Sequence, residues 1–154
     1  MERPTILQVS DLNHLINIFI EIFFHALEKG HYDCWLGKDQ SLPMIYIDEC
    51  IDATIQYLKA DKKNLKRNAY NLAGVAFTPE QLAVEITKLI PGFTIDYKPC
   101  PNRSPIAGSW PRSIDDSCAQ NDWDWKYNPT LYELAHKILT KIDGSYKEGR
   151  KLNM

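Results

Sequence analysis

The sequence predicts a small α/β or α+β unit: a parallel or mixed sheet with flanking helices. Three observations lead there. The 154 residues match the size of one compact domain. Apolar residues recur at helical spacing in several stretches, and short continuous or alternating apolar runs lie between them. From Met44 onward the order is strand, helix, strand, helix, strand with short connections, the pattern of a small sheet covered by helices.

The first helix is expected from about Asp11 to Lys29. Ser10 is its cap, and Leu12, Leu15, Ile16, Phe19, Ile20, Phe23, Phe24 and Leu27 form its stripe. Ile18 and Ile22 widen that stripe beyond one face, which implies burial or a missing partner. Lys29 and Gly30 end it, a cation at the negative end of the dipole and then a residue free to turn left-handed. His31 to Leu36 reads as a strand, and Gly37 to Gln40 as a turn. Met44 to Ile47 is a continuous apolar run, as expected of a strand buried on both faces. Asp48 then caps a helix from Glu49 to Lys59, with Ile51, Ile55 and Leu58 expected inward.

Ala69 to Ala73 reads as another strand, ending at Gly74. Thr78-Pro79-Glu80-Gln81 is a helix start with a capping box and proline at the first position, and that helix runs to Leu89. Phe93 to Tyr97 alternates like a strand with one wet face. Pro99 to Pro111 reads as a long loop. The last helix, Thr130 to Ile142, buries Leu131, Leu134, Ala135, Ile138 and Ile142, and Gly144 is expected to end it ahead of a polar tail. The organisation is then a divergent segment 1–19, a main region 20–143 and a tail 144–154.

Composition excludes several classes. Hydrophobic residues make up 44% and the formal net charge is −2, so nothing favours nucleic acid or an anionic membrane. The Lys59, Lys62, Lys63, Lys66, Arg67 cluster has no interleaved aromatics and reads as a solvated loop. The run from Leu15 to Leu27 is broken by Asn17, Glu21 and His25 and is too short to span a bilayer. The four cysteines, with no Cys-x-x-Cys pair, read as reduced thiols. His25, His31 and Cys34 have no metal-site spacing. Asp48, Glu49 and Asp52 read as an acidic first turn of a helix.

The most distinctive stretch is Ser109-Trp110-Pro111-Arg112-Ser113-Ile114-Asp115-Asp116-Ser117, followed by Asp122-Trp123-Asp124-Trp125. Tryptophan has an apolar body and one N–H donor, which suits a pocket wall that is dry on one side. Pro111 disfavours helix at Trp110, so that ring is expected on an extended, stiff segment. The alternative is a loop whose aromatics cap a small core. No Gly-x-Gly-x-x-Gly or Walker pattern is present to bring backbone N–H groups against a phosphate. No tyrosine is followed four residues later by lysine, so the sequence shows no phenol activated by a helical ammonium neighbour.

Five stretches carry a family resemblance: Ala26 to Gly30, Leu42 to Cys50, Tyr70 to Gly74, Phe77 to Glu80, and Ser109 to Trp125. Through them the chain resembles the C-terminal part of the short-chain-dehydrogenase type of L-threonine 3-dehydrogenase, an extended member related to nucleotide-sugar epimerases. The resemblance implies a part that closes over an amino-acid substrate, with Trp110 as the candidate pocket wall. Its competing role is a packing residue at the junction of two parts. The family reaction is NAD-dependent oxidation of L-threonine to 2-amino-3-ketobutyrate, on an N-terminal Rossmann half with a Tyr/Lys pair.

These 154 residues carry neither the fingerprint nor the pair. The expectations are no cofactor for this chain, a truncated and inactive product, and a mitochondrial, intracellular setting by resemblance alone, since Met1-Glu2-Arg3-Pro4 lacks transit composition. The alternative is a non-catalytic interaction module that self-associates or docks on a full-length relative. A third reading is amino-acid binding without turnover. Departures from the family include Asn13 to Asn17, in place of a Gly-Thr-Thr-Asp-like loop, and Gly108, Glu49 and Asp124.

Overall fold

A computed structural model describes the backbone of residues 9–152 and the side chains of residues 19–144. In chain order the elements are α1 (Val9–Lys29), β1 (His31–Cys34), β2 (Leu42–Met44), α2 (Ile47–Lys59), β3 (Val75–Phe77), α3 (Pro79–Leu89), β4 (Thr94–Tyr97), α4 (Ser104–Gly108), α5 (Ser117–Trp123) and α6 (Leu131–Leu152).

The strands form two two-stranded sheets. β1 and β4 pair in parallel, with His31 opposite Thr94 and Cys34 opposite Tyr97. β2 and β3 pair antiparallel, with Leu42 opposite Phe77 and Met44 opposite Val75. The expected mixture of parallel and antiparallel pairing is thus present, but divided between two ribbons. Ribbons this narrow need helices to bury a face. α1, α3 and α6 supply that cover, and Phe23, Ile22, Leu36, Leu42, Leu82 and Ile86 form the centre of the main core. Removing such side chains from water contributes roughly 1.5–3 kcal/mol each.

Local chemistry accounts for several boundaries. Gly30 ends the straight run of α1 at φ 65°, a conformation that costs glycine little. At α3, Thr78 Oγ1 accepts from the Gln81 N–H while the Gln81 side chain accepts from the Thr78 N–H, the reciprocal capping box expected there. Thr130 and Glu133 cap α6 in the same way.

Several expectations are corrected. α2 starts at Ile47, so Asp48 lies in its first turn and Tyr46 is the capping position. The buried strand expected at Met44 to Ile47 ends at Met44, and Ile47 is 62% exposed. Ile51, Ile55 and Leu58 do not face inward; the residue of α2 that is fully buried is the small Ala53. Ala69 to Ala73 is not a strand; its Ala73 N–H goes to the Asp116 side chain instead of a ladder partner. The strand lies just beyond it, at Val75–Phe77. The loop from Pro99 contains the short helix α4. Gly144 lies inside α6, which continues to Leu152, and Ser10 lies inside α1 and so does not cap it. The Ser10 side chain and the stripe residues before Phe19 fall outside the described side chains. Among the described residues no helix is long and apolar enough to cross a membrane.

A smaller core of Ala53, Ala119 and Trp125 joins α2 to α5, with Tyr70, Leu72, Trp123 and Tyr127 packed around it. Gly74 allows the chain to enter β3 beside β2. A Cβ there would lie 1.9 Å from the Met44 carbonyl oxygen, so only glycine fits.

Candidate functional site

Trp110 sits at the end of α4, not on an extended run. Its N–H donates to the Ala107 carbonyl at 3.2 Å, so it still belongs to the last helical turn. Pro111 stops the helix there. The segment is tied to the β1–β2 connection. Gln40 Nε2 donates to the Ala107 carbonyl at 3.1 Å, and Ser41 Oγ donates to the Arg112 carbonyl at 3.1 Å. The Trp110 ring is partly buried and packs against the main core. The structure therefore gives Trp110 firm positioning and a packing role.

The two acidic residues buried among the described ones both serve a loop. Asp116 accepts from the Ala73 N–H at 3.3 Å and from Gln120 Nε2 at 2.7 Å. Asp122 accepts from the Tyr70 hydroxyl at 2.7 Å, from the Lys66 N–H at 3.3 Å and from Lys66 Nζ at 3.0 Å. The Tyr70 hydroxyl first, and then Lys66, hold the Asp122 carboxyl below the usual carboxylate range. Asp115 is likewise lowered, by the Ser117 backbone N–H and hydroxyl. Asp122 and Asp116 together pin the 65–74 loop to α5 and its capping residue, whereas the Asp115 carboxylate stays within its own turn.

An aromatic ladder runs beside them. Tyr57 meets Tyr70 at 5.7 Å between ring centroids, Tyr70 meets the edge of Trp123 at 6.2 Å, Trp123 meets Trp125 at 5.7 Å, and Trp125 stacks on Tyr127 at 6.0 Å. Such pairs are worth about 0.5–1.5 kcal/mol each beyond their area. Two of the motif's three tryptophans therefore build the second core, and Trp125 is 2% exposed. Trp110 stands apart from them.

A groove of about 390 Å³ opens on another face, lined by Phe19, Phe23, Met44, Tyr46, Phe77 and Leu134 among others. Trp110 is not among its lining residues. At one side of the same region Lys137 Nζ lies 4.2 Å from the centre of the Tyr46 ring and 2.7 Å from Glu49 Oε1. Glu49 raises the Lys137 ammonium above its ordinary range. The structure thus brings together a tyrosine and a lysine that sequence spacing could not pair. The ammonium lies over the ring face and is held by Glu49, a packing arrangement that does not activate a phenol.

His25, His31 and Cys34 do not converge. His25 lies against Tyr32, and Cys34 is buried. His31 instead meets Asp33 and Asp96 across the parallel pair, with three ligand atoms within 4.8 Å of one another. Strand register creates that cluster, so no local spacing signals it. Lys98 Nζ lies 2.7 Å from Asp33 and already supplies the neutralising cation. Lys98 holds the Asp33 carboxyl low.

The residues present do not fit a dinucleotide. None of the three strand-to-helix connections among the described residues, Ile45-Tyr46 before α2, Thr78 before α3 and Lys98 to Arg103 before α4, carries a glycine. At the start of α3 Pro79 has no N–H, the Glu80 N–H donates to the Lys38 carbonyl and the Gln81 N–H to Thr78. The two glycines at positive φ, Gly30 and Gly92, lie at other turns. No backbone cradle for a pyrophosphate is present among the described residues.

No family model matches the chain. It is 41% identical over 120 residues to the mitochondrial L-threonine 3-dehydrogenase of Bos taurus, a match covering 78% of this chain and 32% of the bovine protein. It is 44% identical over 117 residues to an uncharacterized epimerase/dehydratase of Staphylococcus haemolyticus, covering 75% of this chain and 36% of that one. Among solved structures it is similar to L-threonine dehydrogenase from Phytophthora infestans, with a TM-score of 0.79 and 41% identity over 84% of this chain and 42% of the other. The GalE-like L-threonine dehydrogenase of Cupriavidus necator, apo form, gives a TM-score of 0.74 and 41% identity over 81% and 45%. The chain therefore spans less than half the length of these relatives, from 32% to 45%.

Proposed function

For a chain that is a relative of the L-threonine 3-dehydrogenases of the extended short-chain dehydrogenase and epimerase type, we propose the role of their C-terminal, substrate-side part, which oxidises no threonine by itself. The observation that carries this is the match at 41% identity over 78% of this chain but 32% of the bovine enzyme. Hydride transfer needs a dinucleotide held beside a proton acceptor. General base catalysis contributes about 10²–10⁴ in rate, and positioning contributes more. None of the strand-to-helix connections carries a glycine to cradle the dinucleotide, and Lys137 is committed to Glu49 and the Tyr46 ring.

In this reading Trp110 contributes a wall to the amino-acid site once a nucleotide-binding part is in place. The hold of Gln40 and Ser41 on the flanking Ala107 and Arg112 carbonyls supports that role, since a pocket wall must not move. The test is NADH formation by the purified 154-residue chain with L-threonine and NAD. The expected rate equals that of a heat-denatured sample, and threonine-dependent NADH above that level overturns the proposal. Calorimetry with L-threonine, using Trp110→Ala as the comparison, separates residual binding from turnover.

A second reading, an interaction module without catalysis, is favoured by the bare apolar face of α2.

A further inference from the structure

We propose that α2 is a self-association surface on which a second copy of this chain docks antiparallel, about a two-fold axis that crosses the exposed stripe between Ile51 and Ile55. Ile47, Ile51, Ile55 and Leu58 recur every three or four residues, so they share one face of the helix. Their exposures are 62%, 51%, 42% and 74%, while Ala53 on the opposite face is fully buried. The helix therefore carries its larger apolar stripe outward, the inverse of an ordinary surface helix.

The stripe is nearly symmetric about its middle. An antiparallel second copy sets Ile51 against Ile55 of the other chain and Ile47 against Leu58, and the same two contacts recur on the far side of the axis. Such self-complementarity is what a two-fold contact requires.

Charge selects the direction. The first turn of α2 carries Asp48 and Glu49, and the last turn carries Lys59. By the helical period Asp48 and Lys59 flank the stripe on the same side. In a face-to-face antiparallel pair, residues on the same flank meet, so Asp48 of each copy lies beside Lys59 of the other. A parallel pair would carry the two Asp48 side chains to opposite flanks, where neither meets Lys59. Antiparallel packing also aligns opposite helix dipole ends. Asp48 is half exposed and its contact to Lys137 is long, at 3.9 Å, so it is free to turn outward. One short helix on each side buries less than the roughly 1,200 Å² of a standard interface, so association at tens of micromolar is expected.

The test is sedimentation equilibrium of the full chain from about one to a few hundred micromolar. The expected result is a monomer–dimer equilibrium. Joint Ile51→Glu and Ile55→Glu substitution should weaken it roughly tenfold or more with an unchanged circular dichroism spectrum, since both side chains are exposed. Asp48→Lys alone and Lys59→Asp alone should each weaken it several-fold, by placing like charges opposite. An equimolar mixture of those two variants should recover association, because both contacts then pair opposite charges. A purely structural effect of either substitution would not be repaired by mixing. A monomer throughout, a dimer indifferent to the two glutamates, or no recovery on mixing overturns the proposal. So does a monomeric chain that instead captures a nucleotide-binding part of a relative at one-to-one stoichiometry.

Discussion

The Tyr70 hydroxyl donates a 2.7 Å hydrogen bond to the buried carboxylate of Asp122, linking the loop before β3 to α5. The same phenol oxygen accepts from the Lys66 and Arg67 N–H groups, at 3.0 and 3.2 Å. One tyrosine thus organises a loop that has no strand partner. Tyr70→Phe should leave the Asp122 carboxylate and two backbone donors short of a partner. The expected result is a lower urea midpoint with faster amide exchange concentrated at residues 65–74, and exchange unchanged there would count against this role.

The Asp122 link also sets an acid response. Its carboxyl is held below the ordinary value of 3.8, by Tyr70 first and Lys66 second. A depressed folded value means that the stabilisation is complete above the unfolded value and is lost as pH falls through the folded one. The contribution of Asp122 to stability should therefore be complete above about pH 5 and be lost as pH falls below about 4. Asp122→Asn should lower stability at neutral pH and make the acid limb shallower. Urea midpoints measured across the acid range check the sign.

Gly74 and Gly108 give opposite expectations for the same substitution. A Cβ on Gly74 would lie 1.9 Å from the Met44 carbonyl oxygen, whereas on Gly108 it would meet only the Gln40 side chain, at 3.8 Å. Gly74→Ala should force β2 and β3 apart and cost about 2–3 kcal/mol. Gly108→Ala, in a helix, should be neutral or stabilising by up to about 1 kcal/mol. Denaturant unfolding of the two variants side by side measures the contrast.

The two faces of α2 should respond differently. Ala53 is fully buried, so Ala53→Leu should overpack the second core and cost about 1–3 kcal/mol. Leu58 is 74% exposed, so Leu58→Ser should change the stability of the monomer by no more than about 0.5 kcal/mol. Thermal unfolding at a protein concentration below the association range separates these folding effects from dimer formation.

Thr78→Ala removes the acceptor for the Gln81 N–H, which Thr78 Oγ1 meets at 3.2 Å. The expected cost is about 1 kcal/mol, with fraying confined to the first turn of α3. Thr78→Ser, which keeps the hydroxyl, should recover most of that loss.

Local signals were read directly from the sequence. The capping box at Thr78, the left-handed glycine after α1 and the strand at Thr94–Tyr97 all depend on residues within one turn or one strand. The helix expected from Thr130 does start there, at Leu131, and the structure adds the reciprocal cap of Thr130 and Glu133. The family resemblance was legible for the same reason, because its motifs are contiguous.

The tertiary structure decided what periodicity leaves open. A helical stripe says which residues share a face, but not on which side of the helix the core lies; at α2 the core touches Ala53 and the isoleucines face out. Ala69 to Ala73 has strand composition, yet Asp116 and Asp122, more than forty positions on, take its loop's donors, Ala73 N–H among them. Trp110, Trp123 and Trp125 are neighbours in sequence, but α5 and its turn send two of them to the second core and leave Trp110 on the first. Sequence settles interactions that span a few residues, because those geometries are set by the backbone itself. Which side is buried, and which carboxylate meets which loop, follows only when distant segments compete for the same space.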